Sequence, residues 1–141
     1  MLMIDTNDMM ISVTRGDYVS IVFSAVDANE DEWHPEDVGV DTLTFAVAKN
    51  HGEEPVISVS NVYNGDEDAF WNIEFGEEGS TDWYKKDSRG NVIYAGGEPA
   101  PLDFGNYVWD LQLTTSTGKI TIIGKTDDVS PKFRVWGEVA Q

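Results

Sequence analysis

The sequence contains no cysteine, which excludes a disulfide framework and any metal site built on thiolates. Because no covalent cross-link is available, the fold must be stabilised by packing. With 141 residues, of which 40% are hydrophobic, the chain is long enough to bury a substantial core. Nothing in the composition marks a boundary between domains, so we predict a single domain over residues 1–141.

Basic residues are also scarce. Nine Lys and Arg stand against 26 Asp and Glu, giving a formal net charge of -17. A surface this acidic repels phosphate backbones and anionic lipid headgroups, so nucleic acid and membrane surfaces are excluded as expected partners. Basic protein surfaces and divalent cations suit it better. The aromatic content of 11%, including five Trp, is too high for a disordered acidic tail.

Long apolar runs are missing as well. No stretch approaches the length of a membrane span. Residues 1–8 (MLMIDTND) have neither a basic region nor an apolar run, so we expect no secretory signal peptide. Together with the absence of cysteine, this favours an intracellular product, which is compatible with later entry into a released assembly.

The dominant pattern has a period of two, and no segment sustains the 3.6-residue period of an amphipathic helix. Apolar and polar side chains alternate most clearly over residues 18–26, 42–49 and 107–114. Shorter segments of the same kind lie at residues 11–14, 56–62, 70–75, 119–123 and 133–139. Turn signals separate them at sandwich spacing, so we predict an all-β, antiparallel β-sandwich of about seven or eight strands.

Three connections carry their own predictions. Asn64-Gly65 favours a hairpin between residues 56–62 and 70–75, since both residues tolerate positive φ. Helix is expected only as a single turn near residues 35–38. Residues 76–101 are rich in Gly, Pro and charge, and they form either a polar insertion or an extra hairpin whose tip is Arg89-Gly90-Asn91.

One short motif refines the architecture. Asp103, Gly105 and Tyr107 spell D-x-G-x-Y at the start of a predicted strand. This resembles the tyrosine corner of immunoglobulin-like sandwiches, in which the Tyr hydroxyl bonds to upstream backbone. Two residues later Trp109 replaces the cysteine of antibody domains, so a large aromatic is expected to fill the space of the inter-sheet disulfide. The motif therefore favours an immunoglobulin-like sandwich.

The sequence gives little support for a metal site or a catalytic site. Asp27, Asn29 and Asp31 have the alternate-oxygen spacing that opens a calcium loop, but Glu32 replaces the required Gly and Val38 replaces the final Glu. A solvated acidic loop is the favoured interpretation, and we predict no cofactor. His34 and His51 lie in separate polar loops, and no nucleophile motif occurs, so we predict that the protein is not an enzyme.

Four aromatic residues are candidates for an interaction surface: Trp33, Trp83, Tyr84 and Trp136. The first three lie in polar segments, and the last is on the outward side of its strand. Each of them either folds onto the edge of the sandwich, anchors a protein interface, or stacks on a sugar. We rank these alternatives in that order.

Taken together, the order of several motifs is similar to that of a known group of proteins. The motifs are Arg15-Gly16-Asp17, residues 41–47 (DTLTFAV), 105–113 (GNYVWDLQL), 121–122 (TI) and 133–139 (FRVWGEV). This arrangement resembles small proteins encoded in the structural-gene modules of Firmicutes phages and prophages, including the N-terminal domain of baseplate upper proteins. Residues 76–101 lie outside the resemblance.

The resemblance implies a non-enzymatic, immunoglobulin-like component of a baseplate, tail or capsid appendage. Its expected partners are other virion proteins or further copies of itself, and its expected location is the virion, or the host cytoplasm during assembly. The resemblance brings no catalytic residues. The alternative that the residues themselves leave open is a carbohydrate-binding module that uses exposed Trp and Tyr side chains.

Overall fold

The computed structural model describes residues 2–5, 9–24, 29, 34, 40–125 and 130–137. Its elements follow the chain in this order: β1 (Leu2–Asp5), β2 (Met10–Thr14), β3 (Val19–Val22), β4 (Val40–Ala48), β5 (Pro55–Val62), α1 (Glu67–Trp71), β6 (Asn72–Phe75), β7 (Tyr94–Ala95), β8 (Glu98–Pro99), β9 (Gly105–Thr115), β10 (Gly118–Ile123) and β11 (Lys132–Trp136). In this part of the chain no helix is long and apolar enough to cross a membrane.

Two sheets form the body of the protein. The larger has seven strands in the order β1-β2-β11-β9-β4-β5, with β10 also paired to β9. The central strand β9 pairs with β4, and it is long enough to take two further partners, β11 along its first half and β10 along its second. The smaller sheet consists of β3 and β6. The predicted all-β, sandwich-like class is therefore confirmed.

Two details of that prediction were wrong. The large sheet is mixed, because β2 and β11 pair in parallel. These strands are far apart in the chain, so no short hairpin forces them to be antiparallel. The described residues also contain eleven strands rather than seven or eight. The additional ones, β1 and the pair β7–β8, have two to four residues each, which is too short for alternation to reveal them.

The core lies between the two sheets and is rich in aromatic rings. On β9 the alternate residues 107, 109, 111 and 113 are all buried, as the period-two pattern predicts. Phe45 on β4 occupies the centre. Its ring centroid lies 5.8 Å from that of Phe75 on β6, 5.5 Å from that of Trp109 and 6.3 Å from that of Phe133. These contacts join the small sheet to the large one.

The predicted hairpin at Asn64-Gly65 was also wrong. The strand before it, β5, pairs with β4, whereas β6 crosses to the small sheet and pairs with β3. The connection contains helix α1, which begins where the Asp66 carboxylate accepts a hydrogen bond from the Ala69 amide at 3.2 Å. An Asp cap followed by two acidic residues is a favourable helix start. The single helical turn expected at residues 35–38 lies outside the described residues.

Residues 76–101 adopt the second of their two predicted alternatives, an extra hairpin. Backbone hydrogen bonds join Lys85, Ile93 and Ala100, and β7 pairs with β8 at the end of the segment. The expected tip is present as a turn in which the Asp87 carboxylate accepts hydrogen bonds from the amides of Arg89 and Asn91, at 2.8 and 3.0 Å. The segment therefore carries regular structure of its own.

Candidate docking surface

A hydrogen bond fixes the loop that enters β9. The Tyr107 hydroxyl donates to the backbone carbonyl of Asp103 at 2.8 Å, which is the geometry that the D-x-G-x-Y motif predicts. Gly105 has a φ of +129°, a conformation that favours glycine. Burial raises the pKa of Tyr107, and the nearby Asp103 carboxylate adds to the increase. The tyrosine therefore stays neutral and able to donate well above neutral pH.

Replacing Tyr107 by phenylalanine is expected to lower the free energy of unfolding by about 1 kcal/mol, because the ring remains but the Asp103 carbonyl loses its donor. Urea denaturation measures the change. Tyr94→Phe is the matched control, since Tyr94 is 64% exposed and its hydroxyl makes no described hydrogen bond. Equal effects of the two changes would show that the corner bond does not stabilise the loop.

This fixed loop presents Phe104 to solvent. The side chain is 52% exposed, although Leu102, two residues earlier, is buried. The Arg15 guanidinium lies 4.0 Å from the ring centroid, and its Nη1 donates to the Leu102 carbonyl at 2.8 Å. On another side, a Cβ added to Gly137 would come within 3.0 Å of the ring. Phe104 is thus held rigidly while remaining accessible.

A second aromatic residue is held in the same manner. Trp136 ends β11 and is 44% exposed. The Arg134 guanidinium lies 5.0 Å from its ring centroid, and Arg134 Nε donates to Asn106 Oδ1 at 2.9 Å. The backbone carbonyl of Trp136 accepts a hydrogen bond from the Arg15 amide at 2.9 Å, which links the two aromatic–arginine pairs. We call Phe104, Trp136, Arg15 and Arg134 the aromatic surface.

Phe104 forms a ridge between two grooves. On one side a cavity of about 380 Å³ runs between Phe104 and Trp136. On the other side a cavity of about 730 Å³ extends to Tyr84 and to residues 76–80. Ser80 also lines this second groove, but its hydroxyl is buried away from the open space and has no hydrogen-bond partner in the described structure. The arrangement offers rigid apolar faces with polar groups beside them, which suits recognition of a partner.

The structure separates the four aromatic candidates predicted from sequence. Trp136 is exposed on the aromatic surface, and half-buried Tyr84 lines the larger groove. Trp33 lies outside the described residues. The prediction of Trp83 as an interface residue was wrong. Its side chain is only 7% exposed, and its Nε1 donates to the Asp17 carbonyl at 3.1 Å. It belongs to the core.

Sequence reasoning missed Phe104, Arg15 and Arg134. Phe104 occupies the variable second position of the D-x-G-x-Y motif, and a turn of known shape could have indicated that this side chain points outward. The two arginines carried no local signal. Their pairing with aromatic rings joins residues from distant parts of the chain.

The calcium candidates remain a prediction that the structure does not test. Asp27 and Asp31 lie outside the described residues, and Asn29 is a turn residue. In the described ranges no group of three or more His, Asp, Glu or Cys side chains is placed to hold a metal ion. His34 contacts Glu67 at 2.7 Å, and His51 contacts Ser130 at 3.1 Å. Each histidine thus bridges parts of the fold.

Comparison with known proteins does not assign the chain to a family. No family model matches the chain, and neither does a curated protein or a solved structure. The function must therefore be inferred from the chain's own residues.

Proposed function

We propose that this chain is a non-enzymatic structural protein of a phage or prophage particle. In this proposal it belongs to a baseplate, tail or capsid appendage, and it docks through its aromatic surface on another virion protein or on a further copy of itself. The observation that carries the docking role is the pair of exposed rings, Phe104 and Trp136, each backed by an arginine. The virion context comes from the order of sequence motifs described above.

The composition of the surface supports a protein interface. Trp, Tyr and Arg dominate the energetics of such interfaces. Here the rings are already fixed by contacts with Arg15, Arg134 and Gly137, so little side-chain entropy is lost when a partner binds. The tyrosine-corner bond also supports an immunoglobulin-like assignment within the sandwich class, as the motifs imply.

The proposal predicts that particles contain the chain and that Trp136 holds it there. Quantitative mass spectrometry of purified particles, from the phage or lysogen that encodes the chain, is expected to find it at a constant copy number. Trp136→Ala in the same genome should remove it from the particles, because truncating an interface anchor weakens binding by about 2 kcal/mol, roughly thirtyfold. Tyr94→Ala, which changes an exposed aromatic elsewhere, should have no effect.

The two parts of the proposal fail separately. Purified particles without the chain would refute the virion role. Particles that take up the Trp136→Ala variant as well as the unchanged chain would refute docking through the aromatic surface, whatever the role of the protein.

A carbohydrate-binding module is the second candidate, and the larger groove favours it. Tyr84 lines this groove together with Glu77, Glu78 and Ser80. An aromatic face with hydroxyl and carboxylate groups suits a sugar. A glycan array decides the matter: binding that Tyr84→Ala abolishes without unfolding the domain would support this candidate, and an array without binding would remove it.

A further inference from the structure

The outer face of the large sheet is unusually neutral over β4 and β5. The described side chains that point outward there are small or apolar and uncharged: Thr42, Thr44, Ala46 and Ala48 from β4, and Ser58, Ser60 and Val62 from β5. Charged residues make up 25% of the chain, and the open face of an antiparallel sheet is where polar residues usually lie. A neutral face of this kind costs less to remove from water than a charged face does.

The small side chains leave a groove. A cavity of about 280 Å³ lies over Thr44, Ala46 and Ser58 and reaches across to β9. Asp110 enters it from β9, where the sheet register places it directly opposite Ala46. Because neither Ala46 nor Ser58 is long enough to cover Asp110, the groove has a carboxylate set among short side chains.

This carboxylate is short of a cationic partner. In the described residues no Lys, Arg or His nitrogen lies within ion-pair distance of Asp110, although His51 and Lys119 line the same groove. Burial raises the pKa of Asp110, and the nearby His51 and Gln112 side chains act in the opposite direction. The fold has already removed part of the water from around this carboxylate. A cation that binds beside it would therefore stabilise its charged form.

The negative net charge of the protein favours a positively charged ligand. At -17 the chain attracts basic partners and repels acidic ones over the whole surface. A cavity of this volume lies just below the range that holds drug-sized ligands, so it suits a single long side chain. An arginine guanidinium also donates in the plane that a carboxylate accepts.

We propose that this groove receives an arginine side chain from a basic partner protein, whose guanidinium pairs with Asp110. The site is on the outer face of the sheet and does not depend on the aromatic surface or on the virion role. It provides a second contact at which a partner is recognised by charge.

Agmatine, which is arginine without its α-carboxylate and carries a guanidinium and an ammonium group, is the probe. Titration of the ¹⁵N-labelled protein is expected to give saturable shift changes at the amides of Ala46, Ser58 and Asp110. Asp110→Asn should reduce those changes at least tenfold, while circular dichroism shows an unchanged fold. Asp68→Asn is the control, because it removes the same charge from an exposed position on α1 and should leave the titration unaltered.

Three outcomes would overturn the inference. Shift changes spread evenly over the acidic surface, or retained in Asp110→Asn, would show general attraction without a site. Calcium chloride that produces the same changes at lower concentration than agmatine would identify a metal site instead. The absence of any change up to about 50 mM agmatine, a concentration at which even weak ion pairs form, would show that the groove does not bind a guanidinium.

Discussion

Replacing Phe45 by alanine is expected to lower the free energy of unfolding by about 3–5 kcal/mol, the range for truncation of a buried Phe. Phe45 is fully buried, and its ring contacts Phe75 on the small sheet as well as Trp109 and Phe133 on the large one. Its loss removes contacts on both sides of the core and leaves a cavity between the sheets. Phe75 also packs directly against Phe133, but a close-packed core relaxes only partly around a deleted ring, so the remaining side chains are not expected to fill the cavity.

Chemical denaturation in urea measures this effect. Val62→Ala is the control, because Val62 also lies in a strand of the large sheet but is 71% exposed. It should change stability by no more than about 0.5 kcal/mol. A loss below about 1 kcal/mol for Phe45→Ala would contradict a core centred on this ring.

Replacing Gly76 by alanine is expected to lower the free energy of unfolding by about 2–4 kcal/mol. A Cβ at this position would lie 2.4 Å from the Asp17 carbonyl oxygen and 2.7 Å from Trp83 Nε1, which are themselves joined by a hydrogen bond. The new methyl group would push the Trp83 indole away from the Asp17 carbonyl and break this hydrogen bond. Gly76 also has a φ of +79°, which adds strain of about 1 kcal/mol for alanine.

Gly79→Ala separates these two causes. Gly79 has a similar φ of +86°, but an added Cβ would meet no atom within 4 Å. It should therefore show only the conformational strain, about 1 kcal/mol. If both variants lose the same stability in thermal or urea unfolding, the close packing of Gly76 against Trp83 and Asp17 is not as described.

The parts of the fold that were predictable from sequence are those set by local pattern. The alternation through Tyr107, Trp109, Leu111 and Leu113 identifies the buried side of β9, because successive side chains of a strand point to opposite faces. The D-x-G-x-Y motif predicts the bond from Tyr107 to the Asp103 backbone, since it spans only four residues. Both signals lie within one short segment.

The errors share the opposite property. Trp83 lies in a polar, Gly-rich segment, and it is buried because its indole reaches Asp17, 66 residues away in the chain. Asn64-Gly65 is a good hairpin turn, but whether a hairpin forms depends on which sheet the next strand joins. Likewise, nothing local to β2 or β11 specifies that they pair in parallel. Tertiary contacts decide all three.

The candidate surface was predictable only in part. Trp136 could be placed outward by alternation along β11, where Phe133 and Val135 point into the core. Phe104 and the two arginines could not, because their role depends on side chains meeting across the end of the sandwich. The sequence around an arginine does not indicate whether its guanidinium stacks on an aromatic ring or is solvated.

Hydroxyl-radical footprinting of the chain, free and in purified particles, tests the central claim most directly. Docking through the aromatic surface predicts that Trp136 and Phe104 are oxidised readily in the free protein and are protected in the particle, while Tyr94 reacts equally in both. Particles that lack the chain, or in which Trp136 remains as reactive as in the free protein, would contradict it.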